Sequence, residues 1–298
     1  MKLSAAVFQR GWNFRFYKPI FVISITLNLI FLAYGAKKVY WTYSQWRNSN
    51  CKLLSEMSNN QRDSLIIDKK TLYLDSTAIV LTLGQSLSAN YGQGSYFCHN
   101  QVFNYFNGSL YKAKEPLLGA TGGSCSVWTR FSDLLIDSGL YKRVILIPIG
   151  IGGTSIDCWS NGDCNQNLQE ILKYIKRDSI KITHVIWHQG ESDNLGNTPK
   201  EIYKAKLKKI LLQIRKYGLN ADFYVCVASY HPNLIDKYNG IDTAIQNAQI
   251  EFVRENIGTK LGANTDLINL AADRYDGVHF SMRGLDKFAK LLYQKVKD

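Results

Sequence analysis

The chain has 298 residues, 46% of them apolar and only five of them proline. That is enough for a substantial core and excludes extended disorder. The formal charge of +12 is unevenly spread: residues 1–75 carry 11 Lys/Arg against 4 Asp/Glu, and the rest carries 25 against 20, a net of only +5. Basic excess confined to one end argues against a nucleic-acid partner and for a membrane-proximal segment.

Residues 1–18 form a short basic tail with Arg10, Arg15 and Lys18. Pro19–Ala36 contains no charged residue and is followed by Lys37 and Lys38. Its length is near the lower limit for a spanning helix, so 19–36 is expected to be an uncleaved transmembrane signal-anchor. A cleaved signal peptide is the rival, with Ala33-Tyr34-Gly35 as a cleavage site. Short N-terminal tails usually stay inside, which would place the large domain in the extracytoplasmic or periplasmic space, although the flanking Lys/Arg counts nearly tie. Residues 37–75 are polar and mixed and read as a juxtamembrane stalk, with a globular domain over 76–298.

Within that domain five apolar runs predict strands: Thr77–Leu83, Arg143–Ile149, Ile182–Trp187, Phe223–Ala228 and about Thr265–Leu270. Helical patterns fall between them at Ser126–Ser138, Gln166–Lys176, Pro199–Tyr217 and Asp242–Asn256, and a last one at Arg283–Val296 closes the chain. In Pro199–Tyr217 the apolar stripe is Tyr203, Leu207, Ile210, Leu211 and Ile214, with Thr198 as the expected cap. Such alternation predicts an α/β fold, a parallel sheet of about five strands covered on both faces. Ligands then bind beyond the carboxyl ends of the strands.

Three patches carry chemistry. Gly84-Gln85-Ser86 follows the first strand and lifts a serine hydroxyl to where a base can reach it. Asp276 and His279 lie three apart before the last helix, so the carboxylate can fix the imidazole's tautomer while His279 takes the serine proton. Gln189, after the third strand, carries an amide able to donate to an oxyanion, and Gly152-Gly153 or Gly122-Gly123 offer backbone donors. Each patch alone is as well explained by an ordinary turn. The serine is not in the G-x-S-x-G elbow, which disfavours the α/β-hydrolase fold.

No metal or cofactor is expected. His184, His188 and Glu191 have suggestive spacing, but their segment reads as a strand, and H-E-x-x-H and paired C-x-x-C are absent. Neither phosphate-loop glycine pattern occurs, and Asn107-Gly108-Ser109 is a chance-level glycosylation match. Lys204, Lys206, Lys208, Lys209 and Lys216 read as a solvated helix face, with a polyanionic glycan contact as the alternative. Cys158 and Cys164 are close enough to bridge a loop. Pairing of Cys98 and Cys125 is left open, and Cys226 is expected as a buried thiol.

Four segments in order resemble the SGNH (GDSL-like) hydrolase superfamily, and more narrowly its sialate O-acetylesterase and carbohydrate acetylesterase group. They are Gly84-Gln85-Ser86, Gly152-Gly153-Thr154-Ser155-Ile156-Asp157-Cys158-Trp159, Trp187-His188-Gln189-Gly190-Glu191-Ser192-Asp193 and Asp276-Gly277-Val278-His279. The W-H-Q-G-E-S-D run is the most specific, and the likeness spans about residues 77–290. It implies a three-layer α/β/α sandwich with Ser86 as nucleophile, His279 as base and Asp276 as its orienter. It implies an oxyanion hole from the Ser86 amide, Gly153 or Gly152, and Gln189, with Gln85 and Glu191 in supporting roles. Leu87 departs from the asparagine that many members carry after the serine, which puts any substrate contact there in doubt. The implied activity is hydrolysis of O-acetyl esters on a carbohydrate such as sialic acid or a surface or dietary polysaccharide. A polysaccharide O-acetyltransferase with the same triad and a non-catalytic, membrane-tethered glycan-binding module are the alternatives.

Overall fold

The computed structural model describes residues 66–234 and 239–297. The expected tail, the membrane segment 19–36 and the stalk up to residue 65 lie outside the described residues. Among the described residues no helix is long and apolar enough to cross a membrane.

The strands are β1 (Ile66–Ile67), β2 (Thr77–Gly84), β3 (Val102–Phe106), β4 (Ser109–Lys112), β5 (Arg143–Pro148), β6 (His184–His188), β7 (Asp222–Val227) and β8 (Thr259–Asn264). They form one sheet in the order β1-β4-β3-β5-β2-β6-β7-β8. The six strands from β3 to β8 along that order are parallel, and β4 runs antiparallel to both β3 and β1. Helices are α1 (Trp128–Asp137), α2 (Ile156–Asn161), α3 (Asp163–Arg177), α4 (Glu191–Leu195), α5 (Lys200–Lys216), α6 (Thr243–Glu255) and α7 (Met282–Val296).

The sandwich follows from period-two alternation in strands buried on both sides. Ile79, Leu81 and Leu83 of β2 pack with the apolar stripes of α3, α5 and α6. Ala78 and Val80 of the same strand face Trp128 and Phe131 of α1 and Phe288 of α7. The predicted stripe of α5 is buried residue for residue. Asp242 caps α6 through its side chain, and Ser281 caps α7.

The sheet has eight strands, not five. Four of the expected runs are strands, but 265–270 is a 3-10 turn and a loop, and the last strand lies at Thr259–Asn264. As an edge strand, β8 is half exposed, so its sequence lacks the continuous apolar run of a central strand. The β3–β4 hairpin was also hidden. Its two-residue turn is Asn107-Gly108, both left-handed at φ 45° and 79°, the conformation that an Asn-Gly hairpin turn uses. Ile66–Ile67 and the following 3-10 turn, placed by the sequence reading in the stalk, join the sheet edge, with Leu72 buried beneath it. Thr198 does not cap α5; its hydroxyl donates instead to Asp193 Oδ1 at 2.7 Å.

Two of the five lysines singled out on α5 make ion pairs: Lys204 pairs with Glu201, Glu251 and Glu255, and Lys206 pairs with Asp157. Cys158 and Cys164 form a disulfide, while Cys98, Cys125 and Cys226 are free, the last two buried.

After β5, on one side of β2, the chain crosses to β6 on the other. That reversal makes the carboxyl end of β2 the crevice where a parallel sheet binds its ligand. Ser86 sits there.

Candidate active site

The Ser86 turn is held by its neighbours on both sides. Gly84 O accepts from Ile151 N at 2.9 Å, and Gln85 N donates to His188 O at 3.2 Å. Gly84 has φ 140°, and a Cβ there would stand 1.9 Å from His188 O, so no side chain fits. Ser86 then opens a 3-10 turn over 86–88 and is nearly buried. Its backbone N–H has no hydrogen-bond partner among the described residues, and its hydroxyl makes no hydrogen bond to His279.

The Asp276–His279 turn closes on itself. His279 Nδ1 lies 2.7 Å from Asp276 Oδ2, while Asp276 Oδ1 accepts from the backbone N–H groups of Val278 (2.9 Å) and His279 (2.6 Å). Burial alone would raise the Asp276 carboxyl. The hydrogen bonds from the ring and the two amides, with the imidazole's charge, outweigh it and hold the group below its ordinary range. Nδ1 faces the carboxylate, so Nε2 is the nitrogen left for the reaction.

Arg274 braces this turn from inside. Its guanidinium donates to the carbonyls of Ile268 (2.7 Å), Val278 and Thr265 (3.5 Å), between the rings of Tyr230 and Phe280. Sequence reasoning passed over Arg274, whose burial only the structure shows. Tyr91 was also missed. Its ring stacks on His279 with centroids 5.3 Å apart and planes 18° apart.

The amide of Gln189 is a tie between loops. Nε2 donates toward Gln85 Oε1 (3.2 Å), Thr154 O (3.1 Å) and Asp193 Oδ2 (2.5 Å), and its two hydrogens are outnumbered by these acceptors. Gln85 Oε1 also accepts from Ser192 N at 3.1 Å, which settles both amide orientations. Gln189 Oε1 is buried without a partner. Gln85 and Gln189 thus join the serine turn, the Gly152–Trp159 loop and the start of α4. Of the candidate glycines, Gly152 N is already engaged by Thr121 Oγ1 at 2.8 Å. Gly153, at φ 68°, has an N–H without a partner among the described residues.

Two buried titratable groups lie beneath. Burial pushes the Glu191 carboxyl up to about 7; the N–H groups of Glu191 and Gly190 and the charge of Arg274 offset part of this, while Asp266 adds to it. Neither Glu191 oxygen has a well-formed hydrogen bond. Burial also holds His188 neutral, with its pKa lowered to about 3; its Nε2 lies 2.8 Å from Thr265 Oγ1 and its ring packs on Phe288. His184 and His188 face the same side of β6 but sit four residues, roughly 13 Å, apart. Among the described residues no three His, Cys, Asp or Glu side chains form a metal cage. Trp159 and Trp187 are both fully buried against each other, with ring centroids 5.8 Å apart, so neither offers a face to a sugar.

Known proteins of the same fold are distant in sequence. A protein from Arabidopsis thaliana superposes with a TM-score of 0.56 at 17% identity, over 72% of this chain and 96% of the other. A carbohydrate acetylesterase from Xanthomonas citri superposes with a TM-score of 0.52 at 17% identity, over 74% of this chain and 55% of the other. No curated protein sequence matches the chain. Residues 77–298, which contain Ser86, Gly153, Gln189, Asp276 and His279, match the carbohydrate esterase family described as sialic acid-specific acetylesterase. The chain belongs to that family and is a carboxylic ester hydrolase.

Proposed function

We propose that the protein removes O-acetyl groups from a carbohydrate through a Ser86–His279–Asp276 triad. The observation that carries this is the double grip of Asp276 on His279, in a turn that lies against the segment following Ser86: Gln93 N donates to Phe280 O, and Tyr275 Oη donates to Tyr91 O.

In the first step Ser86 Oγ attacks the acetyl carbonyl carbon as its proton passes to His279 Nε2. The carbonyl oxygen becomes an oxyanion facing the unpartnered N–H groups of Ser86 and Gly153. Gln189 would join them only by releasing one of its three acceptors. Collapse breaks the ester C–O bond, and the imidazolium returns its proton to the departing sugar oxygen. Water, deprotonated by His279, then attacks the acetyl-serine; its acyl C–O bond breaks, acetate leaves, and the imidazolium returns the proton to Ser86 Oγ. Asp276 stays ionised throughout and stabilises the imidazolium.

The decisive experiment is acetate release from a panel of defined O-acetylated glycans, with Ser86→Ala as control. Release by the parent and none by a folded Ser86→Ala supports the assignment. Undiminished release by the variant rejects Ser86, and glycan binding with no turnover would favour a binding module.

We also propose that residues 19–36 anchor the chain in a membrane with the esterase domain outside the cytoplasm. The uncharged run and its basic flanks support this, as does the Cys158–Cys164 disulfide, a bond that persists in oxidising compartments. Protease added to intact cells, or to spheroplasts where an outer membrane covers the periplasm, should digest the domain. Protection that ends only on permeabilisation would place it inside.

A further inference from the structure

We infer that Tyr91 is a positioning residue for the base, an inference that rests on the triad proposed above. The hydrogen bond from His279 Nδ1 to Asp276 fixes one edge of the imidazole. It leaves the ring free to tilt about that edge, and tilt decides whether Nε2 points at Ser86. A flat surface against the ring removes this freedom.

Tyr91 supplies that surface. Its ring lies 18° from parallel to the imidazole, with Tyr275 stacked on His279 as well, at 6.2 Å and 28°. Tyr91 is itself wedged. A Cβ at Gly152 would stand 2.7 Å from Tyr91 Oη and 2.9 Å from Cζ, and one at Gly122 would stand 2.9 Å from Cδ2. The ring therefore rests on bare backbone at both glycines.

Its main chain is spliced between the same segments. Asn90 N donates to Thr121 O, Gly92 N to Cys125 O and Gln93 N to Phe280 O, each within 2.8–2.9 Å. Tyr275 Oη donates to Tyr91 O at 3.3 Å. One ring thus fixes the distance between the base and the Gly152-Gly153 loop. Its hydroxyl has no hydrogen-bond partner among the described residues, so the work assigned to Tyr91 belongs to the ring.

The test compares parent, Tyr91→Phe, Tyr91→Leu and Ser86→Ala, using a small acetyl ester and NMR of the histidine ring protons. Tyr91→Leu should lower kcat roughly 10- to 100-fold with KM little changed, the penalty of a slightly misplaced base. Tyr91→Phe, which keeps the ring, should restore kcat to within about threefold of the parent. The His279 ring protons should be shifted upfield in the parent, in Ser86→Ala and in Tyr91→Phe, and distinctly less so in Tyr91→Leu, where only the more distant Tyr275 ring remains. This readout needs no turnover, and its parent and Tyr91→Phe arms stand even if Tyr91→Leu fails to fold.

An unshifted His279 in the parent, unchanged kcat in Tyr91→Leu, or equal losses in Tyr91→Leu and Tyr91→Phe would each overturn the inference. Full activity in Ser86→Ala would instead overturn the triad, which separates the two failures.

Discussion

Asp276 grips His279 twice, with one carboxylate oxygen on the ring and the other on the residue's own backbone N–H. One side chain therefore ties an edge of the ring to the turn that carries it. Asp276→Asn should keep the backbone contact through its amide oxygen while presenting the wrong group to Nδ1. The expected loss in kcat is about 10³-fold or more, with little change in thermal stability. Steady-state kinetics beside a melting curve would show it; parent-like kcat would remove Asp276 from the triad.

Gln189 offers a way to separate a tie from an oxyanion donor. Gln189→Leu strands Thr154 O and takes from Asp193 Oδ2 one of its two donors, the other being Ile156 N. Each buried polar group left unpaired costs about 1–3 kcal/mol, so urea unfolding should report a loss of at least that size. A variant as stable as the parent but slow in catalysis would point to a donor with no structural duty.

Glu191 sets a pH dependence of stability with a definite sign. Its folded carboxyl titrates at about 7, above the ordinary 4.5. Between these values the folded state holds a proton that the unfolded state has lost, so this group's contribution falls as pH rises through the window. Glu191→Gln removes the loss. The variant should gain on the parent by on the order of 3 kcal/mol from about pH 4.5 to about pH 7. His188, held neutral down to about 3, works in the opposite sense, since its unfolded form takes up a proton below about 6.5. The two slopes oppose one another near pH 5–6, and the variant should expose that of His188. Unfolding curves of equal spacing at every pH would show that Glu191 is not the group responsible.

The Cys158–Cys164 bridge closes a loop with a separation of six residues beside the Gly152-Gly153 turn. Chain-entropy reasoning gives it about 2 kcal/mol. The double variant Cys158→Ser/Cys164→Ser should melt lower, and reductant should lower the parent's melting temperature without affecting the variant. Equal response of the two proteins to reductant would contradict this.

The central strands and the amphipathic helices were legible because burial on both faces writes a continuous apolar run and packing on one face writes a stripe. Edge elements were not. Thr259–Asn264 pairs on one side only and alternates poorly, so the apolar residues just after it drew the assignment. Asn107-Gly108 did carry a hairpin signal, but its flanking strands are short, and the dipeptide was weighed only as part of a chance-level glycosylation match. At the site, Ser86, Asp276 and His279 were named from sequence because they fall in segments that together resemble a known family; each turn alone is ordinary. The ties of Gln189 and the stack of Tyr91 depend on acceptors and rings brought from distant segments, and local sequence holds no trace of such convergence.

Residues 66 and 67 have a practical consequence far from the chemistry. They cover the free edge of β4, and Leu72 plugs the core a few residues later. A fragment cut at residue 77, where the family match begins, would bare that edge and unseat the plug. Unpaired strand edges recruit other strands, so such a fragment is a candidate for aggregation rather than for crystallisation. A soluble enzyme for study should start at residue 66 or before it.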